Sequence, residues 1–156
     1  GCQEGGVHLG SWKTGERYGR NILGDLNNWN EGFLDWNLIL DETGGPNHVG
    51  NLCDAPIIAD TVKDVLHFNS SYYYIGHFSR YIQPGSVRIG MQGVAAPTEA
   101  AAFLNRDGSI SVVVMNETNQ SKLYVIQSEE GLVPVNLLPH SILTVRLWGD
   151  GEKTKE

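Results

Sequence analysis

The sequence predicts α/β material up to about Gly90 and an all-β, antiparallel remainder. Three observations carry this. The stretch Gly32 to Leu40 is a nearly continuous apolar run (Phe33, Leu34, Leu38, Ile39, Leu40) interrupted only by Asp35, Trp36 and Asn37. A strand buried on both faces, as in a parallel sheet covered by helices, has this composition. Helically spaced apolar residues lie on either side of it. After Gly90 the apolar period shortens to two. A lone β/α step cannot cover its own faces. Residues 1–90 therefore read as the tail of a larger barrel whose front is absent, followed by a β-sandwich at 91–149 and a charged, disordered tail at 150–156.

In chain order, Gly1 to Gly10 is glycine-rich and irregular. Ser11 is placed to cap a helix running to Leu26, with Tyr18, Ile22, Leu23 and Leu26 on one face and Asn27, Asn28 and Asn30 at its end. The Gly32–Leu40 strand follows. Asp41 to Asp54 is a long polar loop in which Gly44, Gly45 and Pro46 impose a sharp turn. Pro56 to Asp60 suggests an edge strand, and Thr61 to Phe68 has no decisive pattern. Ser70 or Ser71 would cap a helix over Tyr72–Tyr81, stopped by Gln83-Pro84-Gly85. Val87, Ile89 and Met91 alternate. Ala100–Leu104, Ile110–Met115, Leu123–Gln127 and Ile142–Trp148 are short β-rich runs, with a hairpin turn at Asn105–Gly108.

The formal net charge is -7, which argues against nucleic acid, a ligand that rewards basic patches. No stretch is apolar for long enough to span a bilayer. The chain opens at Gly1 with no leader pattern, so a removed leader and an excerpt of a longer protein are both open. Two cysteines, Cys2 and Cys53, are too few for a disulfide framework and show no metal-ligand spacing, so each is expected as a free buried thiol. Sequons at Asn69, Asn116 and Asn119 point toward a secreted or extracytoplasmic setting. No cofactor and no metal are expected.

Function is sought in the polar loop, because barrel enzymes keep their active sites at the C-terminal ends of buried parallel strands. DWNLILDETGGPNHVGNLCDAPIIAD (Asp35 to Asp60), GCQEGGVHLGSWKTGERYGRNILGDLNNW (Gly1 to Trp29) and SSYYYIGHFSRYIQPGSVRIG (Ser70 to Gly90) resemble glycoside hydrolase family 30, in its glucosylceramidase-like branch. The resemblance implies a (β/α)8 TIM barrel followed by a C-terminal antiparallel β-sandwich, of which this chain supplies the last barrel elements and most of the sandwich. It implies a retaining β-glycosidase acting on a β-glucoside or glucosylceramide-type substrate. Retention needs two carboxyl groups roughly 5 Å apart.

On the same resemblance the nucleophile glutamate falls immediately before Gly1 and the acid/base lies earlier still. No catalytic carboxylate is then expected in the chain, which would be inactive without the missing N-terminal barrel portion. Trp36 and Asn51 match residues that bind the sugar, with core packing and a turn role as the competing readings. Asp35 and Asn37 are expected to hold the loop by hydrogen bonds. His48 stands where well-known members carry a tryptophan, which leaves the aglycone open, and Cys2 sits beside the nucleophile. Glu4 is a loop carboxylate rather than a substitute nucleophile. Two rivals follow: a β-1,6-glucanase or β-xylosidase of the same family, and a non-catalytic carbohydrate-binding or structural module centred on the sandwich.

Overall fold

The computed structural model describes residues 2–93, 96, 99–128 and 131–149. The tail expected at 150–156 lies outside them. The chain divides into two compact units. One takes the N-terminal stretch through Tyr18 together with Glu31–Ile75; the other takes Gly19–Asn30 and the chain from Gly76 onward.

Helix α1 (Trp12–Asn27) forms as the periodicity predicts, burying Tyr18, Ile22 and Leu23. It stops at the asparagines: the Asn28 side chain donates to the Gly24 carbonyl at 2.8 Å, and Trp29 turns the backbone at φ 71°. Helix α2 (Ser70–Ser79) begins two residues earlier than expected. Neither serine is spent as its cap. Asn69 precedes the helix, its carbonyl taking the Tyr72 N–H at 3.0 Å. The Ser70 hydroxyl instead donates to the Ser11 carbonyl at 2.6 Å and accepts the Gly15 N–H at 2.9 Å.

The two helices approach each other at Gly15, where an added Cβ would lie 2.6 Å from the Tyr74 ring and 2.8 Å from Ser70. Alanine gains about 1 kcal/mol over glycine inside a helix, but overpacking costs about 1–3 kcal/mol. Gly15→Ala is therefore expected to lose stability on balance, and a lowered urea midpoint for the variant is the check.

The first unit holds a three-stranded sheet of β1 (Ile39–Asp41), β2 (Ile57–Asp60) and β3 (Val65–Phe68) in the order β1-β2-β3. β1 and β2 are parallel with Leu40 opposite Ile58; β2 and β3 form an antiparallel hairpin with Asp60 opposite Val65. Leu40, Cys53, Ala55 and Ile58 make its core.

Two expectations are corrected here. The strand predicted over Gly32–Leu40 is regular only from Ile39, and Leu34 is 97% exposed. The Asp35 carboxylate takes the next backbone N–H and bends the chain, so the apolar run cannot extend. Pro56 to Asp60, expected at an edge, supplies the central strand of this sheet, because Val65–Phe68 folds back on its outer side.

The second unit is antiparallel throughout its strands. β4 (Val87–Ile89), β5 (Ala100–Leu104), β6 (Ile110–Asn116) and β9 (Ser141–Leu147) form one sheet in the order β4-β5-β6-β9. β7 (Lys122–Ser128) and β8 (Gly131–Leu137) form a ribbon. Ala100, Ala102, Val112 and Val114 of the sheet pack with Val135 and Leu137 of the ribbon, which is the two-layer core of a sandwich. The expected Asn105–Gly108 turn is present, with Gly108 at φ 81° and the Gly108 N–H on the Asn105 carbonyl at 3.0 Å.

β8 was not legible, because Pro134 in its middle argues against a strand. It is tolerated because, among the described residues, β8 pairs on one side only, with Val125 opposite Pro134.

His77 lies half-buried with its Nδ1 2.9 Å from the Thr144 hydroxyl. Burial holds its pKa below the usual 6.5. The folded state thus favours the neutral ring. Its contribution is complete above the unfolded pKa and is lost as pH falls through the lower folded value. His77→Gln is expected to flatten the fall in Tm between pH 7 and pH 5 relative to wild type.

Candidate active site

The sequence-selected residues all fall in the first unit, on three pieces of chain: Cys2 in the N-terminal stretch, the segment Phe33–Asn37 before β1 and the loop Glu42–Pro56 after it. The segment has no regular secondary structure, yet it is tied. The Tyr18 hydroxyl on α1 donates to both carboxylate oxygens of Asp35 at 2.8 Å. Burial, then the Asp35 carboxylate, push the Tyr18 pKa up. Asp35 Oδ1 accepts the Trp36 backbone N–H at 2.8 Å. The Tyr18 ring also meets Phe33 edge-on, with centroids 6.1 Å apart. Trp36 itself is 80% exposed, and Asn37 is half-buried.

The loop is built from its own side chains. Asp41 Oδ1 accepts the N–H groups of Thr43 and Gly45, each at 2.9 Å, and the Thr43 hydroxyl at 2.6 Å. Those donors hold the Asp41 carboxyl below the usual range. Gly44 sits at φ 88°, and a Cβ there would run into the Cys53 carbonyl. Only glycine meets both demands. Further on, Asn47 Oδ1 accepts the N–H of Val49 at 3.2 Å and of Asn51 at 3.0 Å, while its Nδ2 donates to the Asn51 carbonyl. That closes a small ring presenting His48 and Asn51, both exposed.

The loop ends in a covalent tie. Cys2 and Cys53 form a disulfide, with Cα atoms 4.1 Å apart. The expectation of two free thiols is overturned because the fold brings together residues 51 positions apart, a proximity that cysteine counting cannot detect. The Gly6 N–H adds a bond to the Leu52 carbonyl at 2.8 Å.

Glu4 pairs with Lys13 at 3.1 Å and Arg17 at 3.4 Å, and Lys13 chiefly holds its carboxyl below the usual range. These are ties of the N-terminal loop to α1. Asp54 is buried, which raises its pKa, and its Oδ1 accepts the Asn69 side-chain N–H at 2.7 Å. Asn69 also donates to the Ala55 carbonyl at 2.9 Å, fixing the loop's exit to the start of α2. Among the described residues no group of three or more His, Cys, Asp and Glu is placed to hold a metal ion, and no helix is long and apolar enough to cross a membrane.

Sequence reasoning did not single out Tyr18, whereas Asn47 reads from the sequence, with His48 and Asn51, as one of the loop's neutral hydrogen-bonding groups. Tyr18 counted only as an apolar face residue, and nothing local signals where its hydroxyl goes. What the sequence does not show is that Asn47 closes a ring onto Val49 and Asn51, although an Asn three residues before Gly50 carries a turn signal.

Comparison with known proteins places this geometry. Residues 1–82 match the glycosyl hydrolase family 30 TIM-barrel domain, and residues 85–145 match the family 30 beta sandwich domain. The mouse (Mus musculus) lysosomal acid glucosylceramidase is 41% identical over 118 residues, covering 75% of this chain and 23% of that protein. The chain spans 23–29% of the curated relatives it matches. Among solved structures, SrfJ from Salmonella typhimurium aligns with TM-score 0.86 at 35% identity over 92% of this chain and 32% of its own. An endo-beta-1,6-glucanase aligns with TM-score 0.74 at 31% identity, covering 81% of this chain and 29% of its own. The chain belongs to glycosyl hydrolase family 30, its first part to that family's TIM-barrel domain and its C-terminal strands to that family's β-sandwich domain.

Proposed function

We propose that this chain is part of a retaining β-glycosidase of the glucosylceramidase type, cleaving β-glucosyl bonds of glycolipids or glycosides. The observation that carries the reading is the open indole of Trp36, 80% exposed on a segment pinned by Asp35. A large, flat, apolar face on fixed backbone suits the C–H face of a sugar, and the indole N–H is left to donate to a hydroxyl. Asn51, presented by the Asn47 ring, reaches the same sugar. His48 lies toward the aglycone. Similarity to the mouse enzyme supports glucosylceramide-type substrates.

The two carboxyl groups of retention lie outside residues 1–156 on this reading, the nucleophile directly before Gly1. One attacks the anomeric carbon to form a glycosyl-enzyme; the other protonates the leaving oxygen and then activates water. Cys2, bonded to Cys53, ties the loop carrying Asn51 to the backbone next to the nucleophile. A second substrate, β-1,6-glucan, is favoured by the likeness to the endo-beta-1,6-glucanase.

The test assays the full-length protein and residues 1–156 alone on an aryl β-glucoside, following product configuration by NMR. The full-length protein is expected to release the β-anomer first, and the chain alone to be inert. Hydrolysis by the chain alone that Glu4→Gln abolishes, or inversion by the full-length protein, sinks the reading.

A further inference from the structure

We propose that Tyr18 is a positioning residue for the sugar platform: its hydroxyl clamps both oxygens of Asp35, and that carboxylate in turn holds the backbone N–H of Trp36. The inference rests on the reading of Trp36 as a sugar-binding residue and adds what aims it.

The segment Phe33–Asn37 has no ladder hydrogen bonds, so its geometry depends on side chains. Helix α1 reaches it twice from one residue. The Tyr18 ring packs edge-on against Phe33, and the Tyr18 hydroxyl lies 2.8 Å from each Asp35 oxygen. With Tyr18 itself buried in a helix, the carboxylate is anchored to a rigid element. An aspartate alone can bend its own backbone through its side chain, but its rotamer would then be free. The phenol removes that freedom. The indole, 80% exposed among the described residues, takes its direction from this chain of contacts. Stacking on a sugar rewards such preorganisation, because a mobile platform must be ordered at the moment of binding.

The experiment uses the full-length protein labelled with 5-fluorotryptophan, the Trp36 19F resonance being assigned by its loss in Trp36→Phe. Tyr18→Phe keeps the ring contact and deletes the clamp. It is expected to shift or broaden the Trp36 resonance and to raise KM for an aryl β-glucoside about tenfold, with a smaller change in kcat. In a Trp36→Ala background the same change should have almost no further effect on KM, since a residue acting through Trp36 has nothing left to aim. Asp35→Ala, read in the same cycle, serves if Tyr18→Phe does not fold.

An unmoved Trp36 resonance, or an effect on KM that persists undiminished without Trp36, overturns the positioning role. Unchanged KM in Trp36→Ala alone overturns the sugar-binding reading instead, whatever the resonance does.

Discussion

Trp36→Ala in the full-length protein is expected to lower kcat/KM for an aryl β-glucoside by about 10- to 150-fold with almost no change in Tm. The magnitude follows from burial. Covering a large apolar side chain is worth about 1.5–3 kcal/mol, and each 1.4 kcal/mol is about tenfold. Within residues 1–156 the indole has given up little of its surface, which leaves its face available to a sugar. Substitution of a residue whose side chain packs on little else shifts stability by about 0.5 kcal/mol or less. The opposite pattern, a large fall in Tm with kcat/KM preserved, would return Trp36 to the competing role of a core tryptophan.

Cys53→Ser is expected to destabilise the protein by up to roughly 4 kcal/mol, the chain-entropy cost for a closed loop of about this length. The two cysteines are 51 residues apart, and Cys53 is also a buried member of the core around Leu40 and Ile58. Cys2→Ser should cost a similar amount, and the double variant little more than either, because both act through one bond. Urea titration with and without dithiothreitol measures this. Wild type should lose stability on reduction, and the serine variants should be insensitive to it. A wild type indifferent to reductant would mean that the thiols are free in solution, as cysteine counting first suggested.

The elements read most securely from sequence are those whose signal is local. α1 announces itself by Tyr18, Ile22 and Leu23 at helical spacing, and the β5–β6 hairpin by Asn105–Gly108 between alternating runs. What escaped depends on partners distant in the chain. The apolar run at Phe33–Leu38 has the composition of a buried strand, but composition records a demand for cover and not the hydrogen bond by which Asp35 bends the backbone. The central place of β2 depended on recognising Val65–Phe68 as a strand, and its residues are mostly exposed, so they lack the alternation that betrays a half-buried one. In the site, the polar loop was legible from its glycines and proline. The clamp from Tyr18 and the bond between Cys2 and Cys53 were not, since each joins residues remote from one another in sequence.

Pro134 also bears on the outer edge of the β7–β8 ribbon. Among the described residues no strand pairs with the outer side of β8, and an open strand edge is the usual template on which another strand docks. Leu123, Val125 and Leu132 are exposed on this ribbon, which would make such an encounter adhesive. A proline opposite Val125 cannot supply a ladder donor, so it removes one from the middle of the outer row. A third strand arriving there would find its ladder interrupted halfway along β8. The residue that disguises this strand in the sequence is thus the one that breaks the row of donors along its edge.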